Sequence, residues 1–355
     1  MVLPARDNGH VETDARCGTY IVNAGQSGFF RVRYDQANLA RLTSGLRTLD
    51  TTDQMGLLLD YYTFGRSGDA PFTDYLELVN ALGADADPIV ALDTATSLLA
   101  ISGYAAGRPS ETAVQNYARG KLRPFFARLG WEPRAGEASN DALARAQLIG
   151  ALGALGDAEI TAEARRRVLA AQSDPTALAG SVRTAALGVF AFNADAADYE
   201  ILLARAGAAG DFVEQRRMWL LLASTKDATL ARRTLDLALD ETIPRQLRPQ
   251  VIANVADAHP RLTWEFVLAN RAAIEALLDP LQRMEYLAGI ASASSDPAIA
   301  AELETLARDF PEGARPSIAS AGASIRLRAQ TIAERMPAVE AWIAARNAPA
   351  PRRRR

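Results

Sequence analysis

Asp and Pro marks recur along the second half of the chain, at Asp157, Asp174-Pro175, Asp195, Asp211, Asp227, Pro244, Pro260, Asp279-Pro280 and Asp296-Pro297. Successive marks stand 16 to 21 residues apart. An Asp side chain accepts from the first free amides of a helix, and proline's fixed φ suits the first helical turn, so each mark is predicted to start a helix. Between marks the apolar residues are one-sided: Leu247, Val251 and Val255 fall at i, i+4, i+8, and Ala231, Leu235 and Ala238 at i, i+4, i+7. A hairpin of two such helices cannot bury its stripe alone, but a stack of hairpins can. The pattern therefore predicts an all-α fold, a HEAT/armadillo-like superhelix with a concave surface.

Before Asp157 the helical signal is less regular, with stripes at Leu39, Leu42 and Leu46, at Leu57 to Tyr61, and at Leu76, Val79 and Leu82. Gly130 to Ser139, with Pro133 and Gly136, reads as a bend within one array. A longer helix is predicted near Ala314 to Met336, with Pro337 beginning the last one. The first part differs. Thr19 to Val22 and the alternating Phe29 to Tyr34, joined by Asn23, Gly25, Ser27 and Gly28, predict a short β-hairpin. A lone hairpin is marginal in water, so residues 1–34 are expected to be the remnant of a preceding β-domain. Residues 35–346 form the helical domain in this reading, and 347–355, ending in Arg352 to Arg355, a disordered basic tail.

Composition narrows the chemistry. The 355 residues carry a net charge of −3, which gives no global attraction to nucleic acid or an anionic membrane. No apolar run approaches the ~18 residues that a bilayer span needs. Met1 to Gly9 is polar and contains Pro4, unlike a signal peptide, and reads as the start of a truncated chain. Lys121 and Lys226 are the only lysines, which together with heavy alanine usage suggests a GC-rich bacterial genome; cytoplasm and periplasm both stay open. Cys17 is the only cysteine, so no internal disulfide and no thiolate zinc site is possible.

Helical zinc peptidases need two histidines at i and i+4 with a glutamate to activate water, but His10 and His259 are the only histidines here. His259, beside Pro260, reads as a capping or surface residue. There is no G-x-S-x-G elbow and no phosphate-cradling G-x-x-x-x-G-K-[ST] loop. The pairs Asp85/Asp87 and Asp195/Asp198 read as helix caps. Arg165 to Arg167, Arg216-Arg217 and Arg232-Arg233 read as solvated or acid-paired helix faces. No catalytic residue and no metal ligand is expected within this chain.

Several motifs carry a resemblance. Asn23, Gly25, Gly28 and Phe29-Phe30-Arg31-Val32-Arg33-Tyr34-Asp35 are followed by Asn38-Leu39, Leu57-Leu58-Leu59-Asp60 and Tyr75-Leu76-Glu77-Leu78. Later come Asn254, Trp264-Glu265-Phe266-Val267 and Asn270, and last Ala314 to Ile343 with Trp342. In this order they resemble the C-terminal helical domain of zinc aminopeptidases of the aminopeptidase N family. Leu39 stands where that family usually has tryptophan, and Arg245-Gln246-Leu247 where it often has Gln-Asp.

The resemblance implies a domain that caps a zinc-containing catalytic domain, encloses an internal chamber and contacts peptide downstream of the scissile bond. Zinc and the amine-binding glutamates would lie in an N-terminal catalytic domain of the parent protein. The partners implied are that domain and a peptide substrate, with no cofactor in this chain. Arg245, Gln246 and Arg248, at a helix start where side chains can face the bowl, are the candidate peptide-contact residues. Arg31 is expected to pair with an acid at the junction with the first helix. A reading from another class stays open: a free-standing helical-repeat adaptor that binds a protein or peptide in its groove.

Overall fold

The computed structural model describes residues 18–178, 180–309 and 312–347. His10, Cys17 and the Arg352 to Arg355 tail lie outside the described residues. Within them every regular element is a helix.

Local capping explains where most helices begin. Asp157, Asp195, Asp211 and Asp227 each accept a backbone N–H at the start of α7 (Ala158–Ala170), α9 (Ala196–Ala208), α10 (Phe212–Ala223) and α11 (Ala228–Leu237). Pro260 opens α13 (Pro260–Ala269), Asp279-Pro280 opens α15 (Pro280–Ser292) with a capping box, and Asp296-Pro297 opens α16 (Pro297–Leu306). Two marks behave differently. Asp174 caps only a 3-10 turn, and α8 (Ser181–Phe192) follows it; Pro244 sits in the turn before α12 (Arg248–Ala258). A short helix, α14 (Arg271–Glu275), carries no mark.

The first half holds α1 (Gln36–Gly45), α2 (Thr51–Ser67), α3 (Phe72–Ala81), α4 (Pro88–Tyr104), α5 (Glu111–Leu129) and α6 (Ser139–Ala154). The bend at 130–138 is anchored by Arg145, 1% exposed, whose guanidinium binds Glu137 at 2.5 Å and the Gly130 carbonyl at 3.0 Å. At the other end α17 (Arg315–Gln330) continues through a π-turn, Thr331–Arg335, into α18 (Met336–Asn347).

Packing follows a simple order. Helices α2, α4, α6, α8, α10, α12, α15 and α17 contact one another in succession. The returning helices α5, α7, α9, α11, α13 and α16 each pack beside the next member of that row. The predicted stripes face inward: Leu247, Val251, Val255, Ala231, Leu235 and Ala238 are all buried.

The N-terminal β-hairpin is not formed. Residues 18–35 contain no strand; Tyr20 to Val22 and Val32 to Tyr34 are joined by a 3-10 turn at Ala24–Gln26. The reason is competition for the backbone. Asn38 of α1 binds Tyr20 on both sides, through its Nδ2 to the carbonyl at 2.8 Å and through its Oδ1 from the amide at 3.3 Å. The Val22 amide donates to the Tyr34 hydroxyl at 2.8 Å. From α2, Asp53, Asp60 and the Tyr61 hydroxyl accept the amides of Gly25, Val32 and Tyr34 at 2.7, 2.8 and 3.0 Å. Side chains thus satisfy donors that a strand ladder would have used.

The row also returns to its start. The Thr331 hydroxyl donates to the Arg66 carbonyl at 3.3 Å, and the Arg335 guanidinium lies against Gly68, the left-handed residue (φ 87°) that ends α2. Glu340 accepts from Arg108 at 2.5 Å and from Ser110 at 2.8 Å. Trp342 donates its indole N–H to Glu77 at 2.9 Å and meets Tyr117 edge-on at 5.4 Å. Helix α18 therefore closes onto α3 and α5 across more than 200 residues of sequence.

Candidate functional site

Gly150 on α6, Gly188 on α8 and Gly289 on α15 leave open space beside the row helices, where an added Cβ would meet nothing within 4 Å. Two grooves lie there. The larger, about 520 Å³, runs across α6, α8 and α10 between Gly150, Ala154, Gly188, Val189, Phe192, Val213, Leu220 and Leu221, with Arg216 and Arg217 at its rim. The smaller, about 320 Å³, lies between α12 and α15 and is lined by Pro249, Gln250, Ala253, Glu285, Tyr286 and Ile290. The Tyr286 hydroxyl donates to the Pro249 carbonyl at 2.7 Å, which joins these two helices.

The sequence candidates sit beside this second groove. Arg245 and Gln246 occupy the turn before α12 and are exposed; Arg248 is the first residue of the helix and precedes the lining residues Pro249 and Gln250. Arg245 donates to the Ala276 carbonyl, and Arg248 to the Ile243 carbonyl at 2.7 Å. Both guanidiniums thus brace turns, whereas the Gln246 side chain has no hydrogen-bond partner among the described residues.

The other arginines largely meet acids. Arg165 binds Asp198 at 2.9 Å, Arg167 binds Glu163 at 2.7 Å, Arg232 binds Asp236 at 3.0 Å, and Arg233 pairs with Glu200. Arg31 lies 3.9 Å from Asp60, the acid expected at the junction with the helices. Burial raises the Asp60 carboxyl to about 6, against smaller opposing effects of the Val32 amide and Arg31. Within the clusters Arg165 to Arg167, Arg216-Arg217 and Arg232-Arg233, only Arg216 meets no acid among the described residues; its Nε donates to Gln250 at 2.9 Å.

A zinc site does not fit the described residues. They hold no group of three or more His, Cys, Asp or Glu side chains that could bind a metal ion. His259, the N-cap residue of α13, uses Nε2 on the Thr225 carbonyl at 2.8 Å. No described helix is long and apolar enough to cross a membrane.

Two features escaped the sequence reading. The groove floor depends on glycines that look unremarkable within helical periodicity. Arg216 looks like its neighbours until their acids are placed; the only hint was the alternation of Val213, Arg216 and Leu220 on one helix face.

The chain is 29% identical over 255 residues to Aminopeptidase M1-A of Oryza sativa subsp. japonica, covering 69% of this chain and 29% of that protein. It is 26% identical over 273 residues to Aminopeptidase M1 of Arabidopsis thaliana, covering 73% of the chain and 31% of that protein. A shorter match, 33% over 109 residues, is to the Tricorn protease-interacting factor F2 of Thermoplasma volcanium, covering 31% of the chain and 14% of that protein. The chain thus spans under a third of the length of these relatives. The family model described as the ERAP1-like C-terminal domain matches residues 19–327. With that match spanning most of its length, the chain belongs to this family and is the C-terminal domain of an aminopeptidase N family member.

Proposed function

We propose that this domain forms the substrate-enclosing wall of a zinc-dependent aminopeptidase that removes N-terminal residues from peptides. The observation that carries the reading is the family match over residues 19–327 together with a helical row whose last helices pack back on its first. We read that row as a HEAT-like superhelix whose uncovered, groove-bearing surface faces the chamber. A joined row suits a wall, because it holds a broad concavity without catalytic groups of its own.

In this proposal the zinc and its ligands belong to the polypeptide preceding this domain, and no catalytic step runs through residues 36–347. Residues 35–346 act as one helical unit, and the leading segment connects it to the catalytic part. Phe29 is fully exposed and Phe30 half-exposed on that segment, an apolar turn suited to contact with the preceding domain. Arg245, Gln246 and Arg248 remain our candidates beside the peptide path, supported by their place next to the α12–α15 groove.

The test is hydrolysis of an aminoacyl anilide in the presence of zinc, by this chain alone and by the chain extended with its preceding polypeptide. The proposal expects chelator-sensitive turnover only from the extended protein. Turnover by the chain alone would overturn it. An inactive extended protein that still binds peptide would favour the free-standing adaptor.

A further inference from the structure

A cleft separate from the two grooves above opens in the layer of returning helices, between the C-terminal end of α7 and the C-terminal half of α9. Two bridges hold these helices together: Arg165 binds Asp198 at 2.9 Å, and Arg205 donates to the Val168 carbonyl at 3.2 Å. Past them the facing residues, Ala171, Ala204 and Ala208, are too small to fill the gap, and Leu178 and Ile201 add apolar wall. The space is about 940 Å³, within the range of small-ligand sites. A cleft bridged in this way suits a compact ligand better than an extended chain.

Its charged groups do not balance. Arg183 and Glu214 line the cleft beside Arg205. Glu214 is shared, binding Arg183 at 2.6 Å and Arg217 at 2.7 Å with one oxygen each. Arg205 pairs with no acid among the described residues; its recorded partner is the neutral Val168 carbonyl. Three guanidiniums therefore meet one carboxylate. Burial and the neighbouring Arg183 charge push the Arg205 pKa below the usual arginine value, with Glu214 working the other way. The first turn of α8 borders the same space at Gly180, and no side chain caps it, so its free amides add positive potential.

We propose that this cleft binds a small organic carboxylate: a compact apolar body seated between α7 and α9, with its carboxylate on Arg205. The single guanidinium left without an acid matches one planar monoanion, and a dianionic head would be set against Glu214. The apolar body displaces water from Leu178, Ile201 and the facing alanines. The assignment stands apart from the reading of the domain as a chamber wall, since none of these residues belongs to the two grooves on which that reading draws.

The experiment titrates this chain with 4-phenylbutyrate, 4-phenylbutylamine, 3-phenylpropyl phosphate and acetate, read by saturation-transfer NMR at low salt. Phenylbutyrate is expected to bind about fivefold or more tighter than the amine of the same body and about tenfold or more tighter than acetate. Arg205→Met, which keeps the apolar stem, is expected to erase the preference for the acid over the amine, and Arg205→Lys to retain it. Ala204→Phe, at an exposed position of α9, fills the cleft and is expected to abolish binding of acid and amine alike while the far-UV circular dichroism stays unchanged. Equal binding of acid and amine, or a preference unchanged in Arg205→Met, would overturn the site. Phenylbutyrate binding that survives in a folded Ala204→Phe would place the ligand elsewhere and overturn it too. Tighter binding of the phosphate than of phenylbutyrate would overturn the carboxylate assignment.

Discussion

Replacing Trp342 with alanine tests whether the helical row is joined. The indole makes three contacts: its N–H reaches Glu77 at 2.9 Å, its ring meets Tyr117 edge-on at 5.4 Å, and the Arg346 guanidinium lies 3.6 Å from its centre. The aromatic pair contributes about 1 kcal/mol beyond area. The hydrogen bond to Glu77, a carboxylate 45% exposed, contributes about 1 kcal/mol. Loss of half-buried ring surface contributes about another 1 kcal/mol. The cation contact at exposed Arg346 adds little. Trp342→Ala should therefore destabilise the domain by about 3 kcal/mol, and Trp342→Phe, which keeps the ring contact, by about 1 kcal/mol. Urea unfolding followed by far-UV circular dichroism reads both, as a lower midpoint at unchanged slope. A Glu77→Gln, Trp342→Phe double cycle should show coupling of about 0.5 to 1 kcal/mol. A shift below about 0.5 kcal/mol for Trp342→Ala would refute the reasoning, because an open array would leave this residue a surface tryptophan.

Other consequences follow from single residues. Burial raises the Asp60 carboxyl from 3.8 to about 6, so the folded state binds this proton more tightly than the unfolded chain. Its contribution favours folding below pH 3.8 and is lost as pH rises through about 6; Asp60→Asn should remove that slope from a stability–pH profile while still offering an acceptor to the Val32 amide. Gly68→Ala imposes a side chain at φ 87° and pushes it into the Arg335 guanidinium; thermal unfolding should show a loss of about 1 to 2 kcal/mol. Arg145→Leu strips the buried partner from Glu137 and a donor from the Gly130 carbonyl, and denaturant titration should show a loss of about 3 kcal/mol.

The sequence disclosed what is local. Asp157, Asp195, Asp211, Asp227, Asp279 and Asp296 each cap the helix that follows, because a cap is decided within a few residues. The continuation from α17 to α18 also fell where a long helix ending near Met336 was predicted. The leading segment misled for the same reason. Its alternating Phe29 to Tyr34 has a strand's local pattern, but its backbone donors are taken by Asp53, Asp60 and Tyr61, residues 27 or 28 positions away. Joining of the row was equally hidden, since Arg108 and Glu340 are 232 positions apart and neither stands in a motif. At the candidate site, Arg216 became distinct from Arg217 only once Glu214 had been placed beside the latter and none beside the former. Absent side chains, as at Gly150 and Gly188, leave no periodic trace to read.

The most direct measurement of the proposed enclosing role is the hydrolysis rate, with zinc added, of the chain extended with its preceding polypeptide across a substrate series, from aminoacyl anilides through short peptides to unfolded polypeptides of protein length. A wall formed by these helices predicts rates that hold for short peptides and fall steeply once the substrate outgrows the enclosed space. Rates independent of length would contradict it.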